Sequence, residues 1–408
     1  MAKKLAEEIL KKLEASGYEA YFVGGCVRDW LLNRPVHDID ICTNAHPGDV
    51  MRLFPAHVPT GLKHGTVSVK SGGMLFEVTT YRTEGKYEDY RRPSEVSFVS
   101  ELRLDLMRRD FTMNAMAMDL RGKLEDPFAG LDDLKQGWIR AVGVPAERFR
   151  EDALRILRAA RFAAQLQFQI EPDTLRAMEE TASLLIHIAI ERVREELHKI
   201  IDSPAPAVGV ALLCQTAALK SWPLLDRLFS AGIPHAPRLP RLAELTQKWS
   251  LLLYGSGFGA EEARQVCQVL KLSKREKETI CAFVECLTEL RPHWDQPREI
   301  DWRSLLLQRG WAFCQKLDGI LQACWHNSAA ASDVTRSLRE TYEQMQVKSI
   351  QELAISGREL SVLLDKKPGQ WIQHILQHLW QQTAFHRLPN TPEALLEEAR
   401  KEVVRYEH

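Results

Sequence analysis

The sequence predicts an α+β head followed by an all-helical remainder, and three observations predict it. Short β-like runs crowd the stretch up to Val142, broken by glycine turns. From Arg148 to His408 apolar residues recur at helical spacing almost throughout, with few β-branched runs. Prolines (Pro172, Pro204, Pro206, Pro223, Pro234, Pro237, Pro240, Pro292) punctuate that second part as they do between helices.

The elements follow in order. MAKKLAEEILKKLEASG reads as an amphipathic helix rather than a signal peptide. Ala20-Tyr21-Phe22-Val23 is a short apolar strand that stops at Gly24-Gly25. Val27 to Leu32 reads as a helix and Asp38 to Cys42 as a second strand. Thr66 to Val69 and Leu75 to Tyr81 flank Ser71-Gly72-Gly73, a hairpin turn. EGKYEDYRRP, Glu84 to Pro93, is charged and aromatic without periodicity, a long loop that is either a functional lid or an ordinary solvated connection. Met113 to Leu120 is an apolar run and Ile139 to Val142 a β-like one. A small mixed sheet with helices on one face fits this order. Ser273-x-x-Glu276 is a capping box opening another helix.

At 408 residues the chain exceeds one small core, and about two to four domains are expected. The formal net charge of −1 gives no global basic field, so only local patches can serve a nucleic acid. No apolar run is long enough to span a bilayer. The eight cysteines contain no Cys-x-x-Cys pair, which argues against zinc and for reduced, mostly core thiols.

The most chemical feature is Asp38-Ile39-Asp40, thirteen residues past Gly25. On an extended segment the two carboxylates share one side while Ile39 packs behind. Convergent carboxylates suit a hard divalent cation, although Asp-x-Asp is common by chance. Gly24 and Gly25 lie between a strand and a helix, where backbone N–H groups can approach an anion, and Arg28 in the first turn can meet the same phosphate. Glu77 shares a strand face with Leu75 and Thr79; it is either a third carboxylate for the cation or for hydroxyl activation, or a surface glutamate.

Arg108-Arg109-Asp110 precedes an apolar segment. Asp110 can cap a helix there, and the arginines either grip phosphate or form a structural ion-pair cluster. In EDALRILRAARF, a continuous helix makes Asp152 and Arg155 neighbours on one stripe, with Arg158 one step round. Arg161 drifts toward the apolar side and needs a partner. An acceptor and a donor fork one turn apart complement the edge of cytosine or adenine and reject guanine and uracil; a plain surface ion pair is the alternative. In the helical part, Lys271, Lys274, Arg275 and Lys277 either track phosphates or form a solvated face, and Trp302, Trp311, Trp325, Trp371 and Trp380 read as core.

Five segments in this order, FVGGCVRDWLLNRPVHDIDICT, FEVTTYRTEGKYEDYRRP, RRDFTMNAMA, EDALRILRAARF and IAIERVREELHKI, resemble the bacterial class II tRNA nucleotidyltransferases and poly(A) polymerases. They run from Ala20 to Ile200. The resemblance implies a polymerase-β-type nucleotidyltransferase palm followed by an all-α, tRNA-binding half. Its division would be a head at 1–140, a helical neck at 141–205, a helical body at 206–320 and a helical tail at 321–408. It assigns Asp38 and Asp40 to Mg²⁺; Glu77 stays a further catalytic candidate from its place on the strand face alone. Gly25, Arg28 and Arg109 would hold the triphosphate. Asp152 and Arg155 would read the base, supported by Arg158 and Arg161. The substrates implied are tRNA, CTP and ATP, in a cytoplasmic homodimer. The segment from Glu84 to Pro93 matches the family's flexible loop and is not shortened, which argues against an enzyme that adds only CC. An A-adding enzyme or a poly(A) polymerase remains the alternative output; a non-catalytic RNA binder is disfavoured by the intact aspartate pair.

Overall fold

The computed structural model describes residues 1–84, 87–88, 92–93, 96–291, 300–324 and 329–406. It divides into two compact units, Met1–Cys281 and Ala282–His408.

The first unit opens with α1 (Ala2–Ala15), whose Ala6, Ile9, Leu10 and Leu13 are buried at the spacing that puts them on one face. Strands β1 (Ala20–Val23), β2 (Asp40–Thr43), β3 (His57–Val58), β4 (Thr66–Ser71) and β5 (Met74–Thr80) alternate with α2 (Gly25–Leu31) and α3 (Pro47–Leu53). Next come β6 (Arg82–Glu84), β7 (Tyr87–Glu88), β8 (Arg92–Pro93), β9 (Val96–Phe98), α4 (Leu102–Met107), β10 (Ala117–Met118) and β11 (Leu124–Glu125). The main sheet is mixed, in the order β11-β10-β1-β2-β5-β4-β3. Its one parallel pair, β2 with β5, sets Asp40 opposite Glu77. Strands β4 and β5 form the expected hairpin: Ser71 faces Met74, and Gly72 and Gly73 supply φ values of 55° and 82°. Two left-handed residues are what a two-residue turn needs to match strand twist. Behind the sheet, Val23, Cys42, Tyr81, Leu106, Ala115, Ala117 and Val142 form a buried cluster.

Several expectations shift. The second strand begins at Asp40, so Asp38 and Ile39 precede the ladder. The run from Met113 to Leu120 holds a 3₁₀ turn (Thr112–Asn114) and only two strand residues. The β-like run near Ile139 becomes β12 (Trp138–Ile139), which pairs in parallel with β13 (Gln169–Ile170) outside the main sheet. The segment read as a loop carries the antiparallel pairs β6–β9 and β7–β8; Gly85, Lys86 and residues 89–91 lie outside the described residues.

Helices then take over: α5 (Gly130–Gln136), α6 (Pro145–Glu151), α7 (Leu154–Leu166), α8 (Pro172–Thr181), α9 (Ile190–Ile201), α10 (Pro206–Gln215) and α11 (Pro223–Gly232). Pro145, Pro172, Pro206 and Pro223 each open a helix, where no N–H is required and φ is already set. Ser273 and Glu276 make the expected reciprocal bonds, Ser273 N–H to Glu276 at 2.9 Å and Glu276 N–H to Ser273 Oγ at 3.3 Å.

The second unit is helical wherever an element is described, from Trp302–Arg309 to Pro392–Tyr406. Trp302, Trp371 and Trp380 are buried, as core tryptophans should be. Trp311 stacks on Tyr342 with ring centres 4.0 Å apart. Trp325 and Pro292 lie outside the described residues. Among the described residues no helix is long and apolar enough to cross a membrane.

Candidate active site

A cleft of about 1120 Å³ in the first unit is lined by Gly24, Gly25, Arg28, Asp38, Asp40 and Arg109, and equally by Asp152, Arg155, Arg158 and Arg161. Of the residues nominated for the cation, the triphosphate or the base, all but Glu77 reach it; Lys271, Lys274, Arg275 and Lys277 do not.

Its floor is the turn from β1 into α2. Gly24 has φ 78°, the left-handed region that a side chain resists. A Cβ there would also lie 2.9 Å from Arg109 Nη1. Glycine therefore serves twice, bending the chain and clearing space for a guanidinium at the start of α2. Arg28 is already engaged: Nε and Nη2 donate to Asp29, and Nη1 donates to Asn114 Oδ1 at 2.7 Å. Gly24→Ala should cost about 1–2 kcal/mol of stability through φ alone. It should also displace Arg109 and raise the KM for any triphosphate; thermal unfolding and nucleotide-dependent kinetics check both.

Asp38 is exposed, Ile39 buried and Asp40 half-buried, the two-faced arrangement that the alternation predicts. Glu77 stands beside Asp40 through the sheet register, on the same face. Burial raises the Asp40 pKa; Arg109 opposes this, while Glu77 and Asp38 add to it. A cation would relieve that repulsion. Among the described residues no three His, Cys, Asp or Glu side chains are gathered as a ready-made cage. The oxygen donors fit a hard ion that takes one or two carboxylates and completes its shell with phosphate and water.

Asp110 does not cap a helix. The 3₁₀ turn after it begins from Phe111 without a side-chain cap, and Asp110 turns inward instead. It accepts from Phe111 N–H, from Asn114 Nδ2 at 3.1 Å, and from Arg158 Nε and Nη2 at 2.8 and 2.6 Å. Burial works against its charge, but Arg158 and Asn114 outweigh it and hold the carboxyl well below the usual range. Arg108 and Arg109 both pair with the buried Asp105.

The largest departure is at Asp152. The expected continuous helix is broken there: α6 ends at Glu151, Asp152 is extended (φ −141°, ψ 99°), and α7 starts at Leu154. Asp152 and Arg155 thus come together across a helix junction, not along a stripe. Asp152 Oδ1 accepts from Leu154 N–H, and Arg192 of α9 donates to both carboxylate oxygens at 3.3 and 2.8 Å. Arg155 is buried and donates to Glu151 Oε2 at 2.7 Å and to the carbonyls of Arg148 and Arg108. Arg161 has the partner its position demands, with Nε 2.6 Å from Glu196 Oε2, and its guanidinium lies 4.0 Å from the Phe162 ring centre.

Sequence reasoning passed over Arg192 and Glu196, which sit four residues apart in IAIERVREELHKI. Their spacing marks one helix face. Nothing local says that this face meets Asp152 and Arg161.

A palm with paired carboxylates, a glycine turn and a downstream helix junction on one cleft defines a nucleotidyltransferase of polymerase-β-like fold, continued by a helical C-terminal half. Residues 20–140 match the Poly A polymerase head domain, residues 167–229 the RNA- and SrmB-binding site of polymerase A, and residues 241–399 tRNA nucleotidyltransferase domain 2. The CCA-adding enzyme of Anoxybacillus flavithermus is 38% identical, covering 96% of this chain and 95% of that one. That of Geobacillus stearothermophilus is 37% identical over 95% and 94%. Among solved structures, the Bacillus stearothermophilus CCA-adding enzyme in complex with CTP superposes with a TM-score of 0.84 at 34% identity, covering 99% of this chain and 98% of that one. The Thermotoga maritima CCA-adding enzyme complexed with tRNA, at 23% identity and a TM-score of 0.64, shares the fold. The chain belongs to the family of CCA-adding enzymes. Nucleotidyltransferases of this kind use divalent metal ions.

Proposed function

We propose that this protein adds the terminal CCA to tRNA without a nucleic-acid template, using CTP and ATP and releasing pyrophosphate. One observation carries the reading: the same cleft is lined by Asp38 and Asp40 and by Asp152 and Arg155. The tRNA 3′-hydroxyl gives up its proton to water and attacks the α-phosphate; the new O–P bond forms as the bond from the α-phosphorus to the β-phosphate oxygen breaks and pyrophosphate leaves. Asp38 and Asp40 hold Mg²⁺, which when bound stabilises charge on the attacking and leaving oxygens. Glu77, beside Asp40, adds negative charge that favours the cation. Gly25, Arg28 and Arg109 receive the triphosphate. Asp152 accepts from the exocyclic amine of cytosine or adenine, and Arg155 donates to the adjacent ring acceptor, a pattern that uracil and guanine reverse. Arg158 and Arg161 brace that end, through Asp110 and Glu196.

The head, neck, body and tail divide at 140, 205 and 320 in this reading, with the helical body and tail holding tRNA. The protein works in the cytoplasm as a homodimer. The 84–93 segment serves the change from C to A addition; five of its residues lie outside those described.

Arg192→Ala should remove the guanidinium that holds both oxygens of Asp152, leaving the Leu154 N–H bond, and reduce the preference for CTP over UTP by about ten- to a hundredfold, the size of a lost hydrogen bond to a charged group. Competition between the two nucleotides measures it. The function itself is tested with labelled CTP, ATP, Mg²⁺ and tRNA lacking its last three nucleotides. Two C and one A are expected. Addition of A alone to a CC-ending tRNA would make it an A-adding enzyme, and a long run of A a poly(A) polymerase.

A further inference from the structure

Asp105 has no place in the chemistry above, yet it is wholly buried on α4. A buried carboxylate is costly unless it is paired and hydrogen-bonded. Its Oδ1 accepts from Arg108 Nε and Nη2 at 2.9 and 2.8 Å and from Arg82 N–H at 3.3 Å. Its Oδ2 accepts from Arg109 Nη2 at 3.3 Å. The other end of the Arg109 guanidinium occupies the space that the missing Cβ of Gly24 leaves open. The carbonyl of Arg108, whose side chain Asp105 fixes, accepts from Arg155 Nη2 at 2.9 Å. One carboxylate thus lies beneath the arginine at the glycine turn and, one residue further, beneath the arginine at the helix junction.

We infer that Asp105 is a positioning residue for both ends of the nucleotide site: it sets the guanidinium of Arg109 at the start of α2, and through Arg108 it sets the carbonyl that anchors Arg155. It touches no substrate. Burial opposes its charge, but Arg109 and Arg108 outweigh that and keep its carboxyl below the usual range. The inference rests on the reading of Arg109 as a triphosphate ligand.

The test measures binding of inorganic tripolyphosphate with Mg²⁺ to the full chain, so that neither tRNA nor turnover enters. Asp105→Asn keeps the shape and removes the charge. Its dissociation constant should rise about tenfold or more, as for the loss of a charge-assisted bond. In an Arg109→Ala background the same change should add almost nothing, because residues acting through one another are non-additive. A loosened fold would instead weaken binding in both backgrounds. Wild-type binding by Asp105→Asn, or an equal loss in both backgrounds, overturns the inference while leaving the role of Arg109 intact. Wild-type binding by Arg109→Ala overturns both. Circular dichroism monitors folding, and Asp105→Ser, which can still accept from Arg82 N–H, replaces the asparagine variant if that does not fold. As a second readout, Asp105→Asn should also lower the CTP-over-UTP preference, which loss of phosphate grip alone would not move.

Discussion

Asp40→Ala is expected to stop the addition of C and A alike, with turnover down by about 10³-fold or more, the several kcal/mol that a metal contributes to transition-state charge. The loss should be blind to the base, because Asp40 opens the central strand β2 beside Glu77 of β5 and is not at the helix junction. It should not come from unfolding. Burial, Glu77 and Asp38 together raise the Asp40 pKa against the pull of Arg109. For an acid, a folded-state pKa above the unfolded one means that the fold binds the proton more tightly. Stability therefore falls as pH rises through that range, and ionised Asp40 is a burden at neutral pH. The alanine variant should unfold no lower than wild type at pH 7, and the gap should narrow on acidification. A variant that is inactive only because it melts earlier would contradict this.

Asp152→Ala is expected to do the opposite, leaving chemistry running while choice is lost. A site built to bond a substrate's polar edge rejects a mismatched one strongly, so discrimination against UTP and GTP should fall by about 10²–10⁴-fold. Single-turnover incorporation from each nucleotide in turn checks it; unchanged selectivity would remove Asp152 from base reading. Arg192 makes this variant informative, since it grips both oxygens of the carboxylate. If Arg192→Ala alters selectivity in the same direction by a smaller factor, the two act as a unit.

The parts legible in the sequence were those fixed by local rules. Alternation around Ile39 told that Asp38 and Asp40 share a side, and both line the cleft; the glycines announced the hairpin, although Ser71 belongs to its first strand and the turn is Gly72-Gly73 alone. The helix-opening prolines and the capping box at Ser273 are also local. What stayed hidden depends on tertiary partners. Helical periodicity runs unbroken through EDALRILRAARF, yet the chain steps out of the helix at Asp152, where Arg192 from forty residues downstream holds the carboxylate. Asp110 looks like a helix cap, but Arg158 lies within reach only once α7 packs against the head. Asp105 sits in an apolar-looking LRLDLM and carries no motif of its own. Arg161 is intermediate: its place on the apolar side demanded a partner, and only the fold names Glu196.

In the proposed function, aspartates run the reaction and a helix junction chooses the nucleotide. Equilibrium binding of CTP and UTP to the Asp40→Ala protein tests that division most directly. This variant, although unable to add a nucleotide, is expected to keep the wild-type preference for CTP over UTP. Loss of that preference along with activity would show that choice and chemistry are not separable in this cleft.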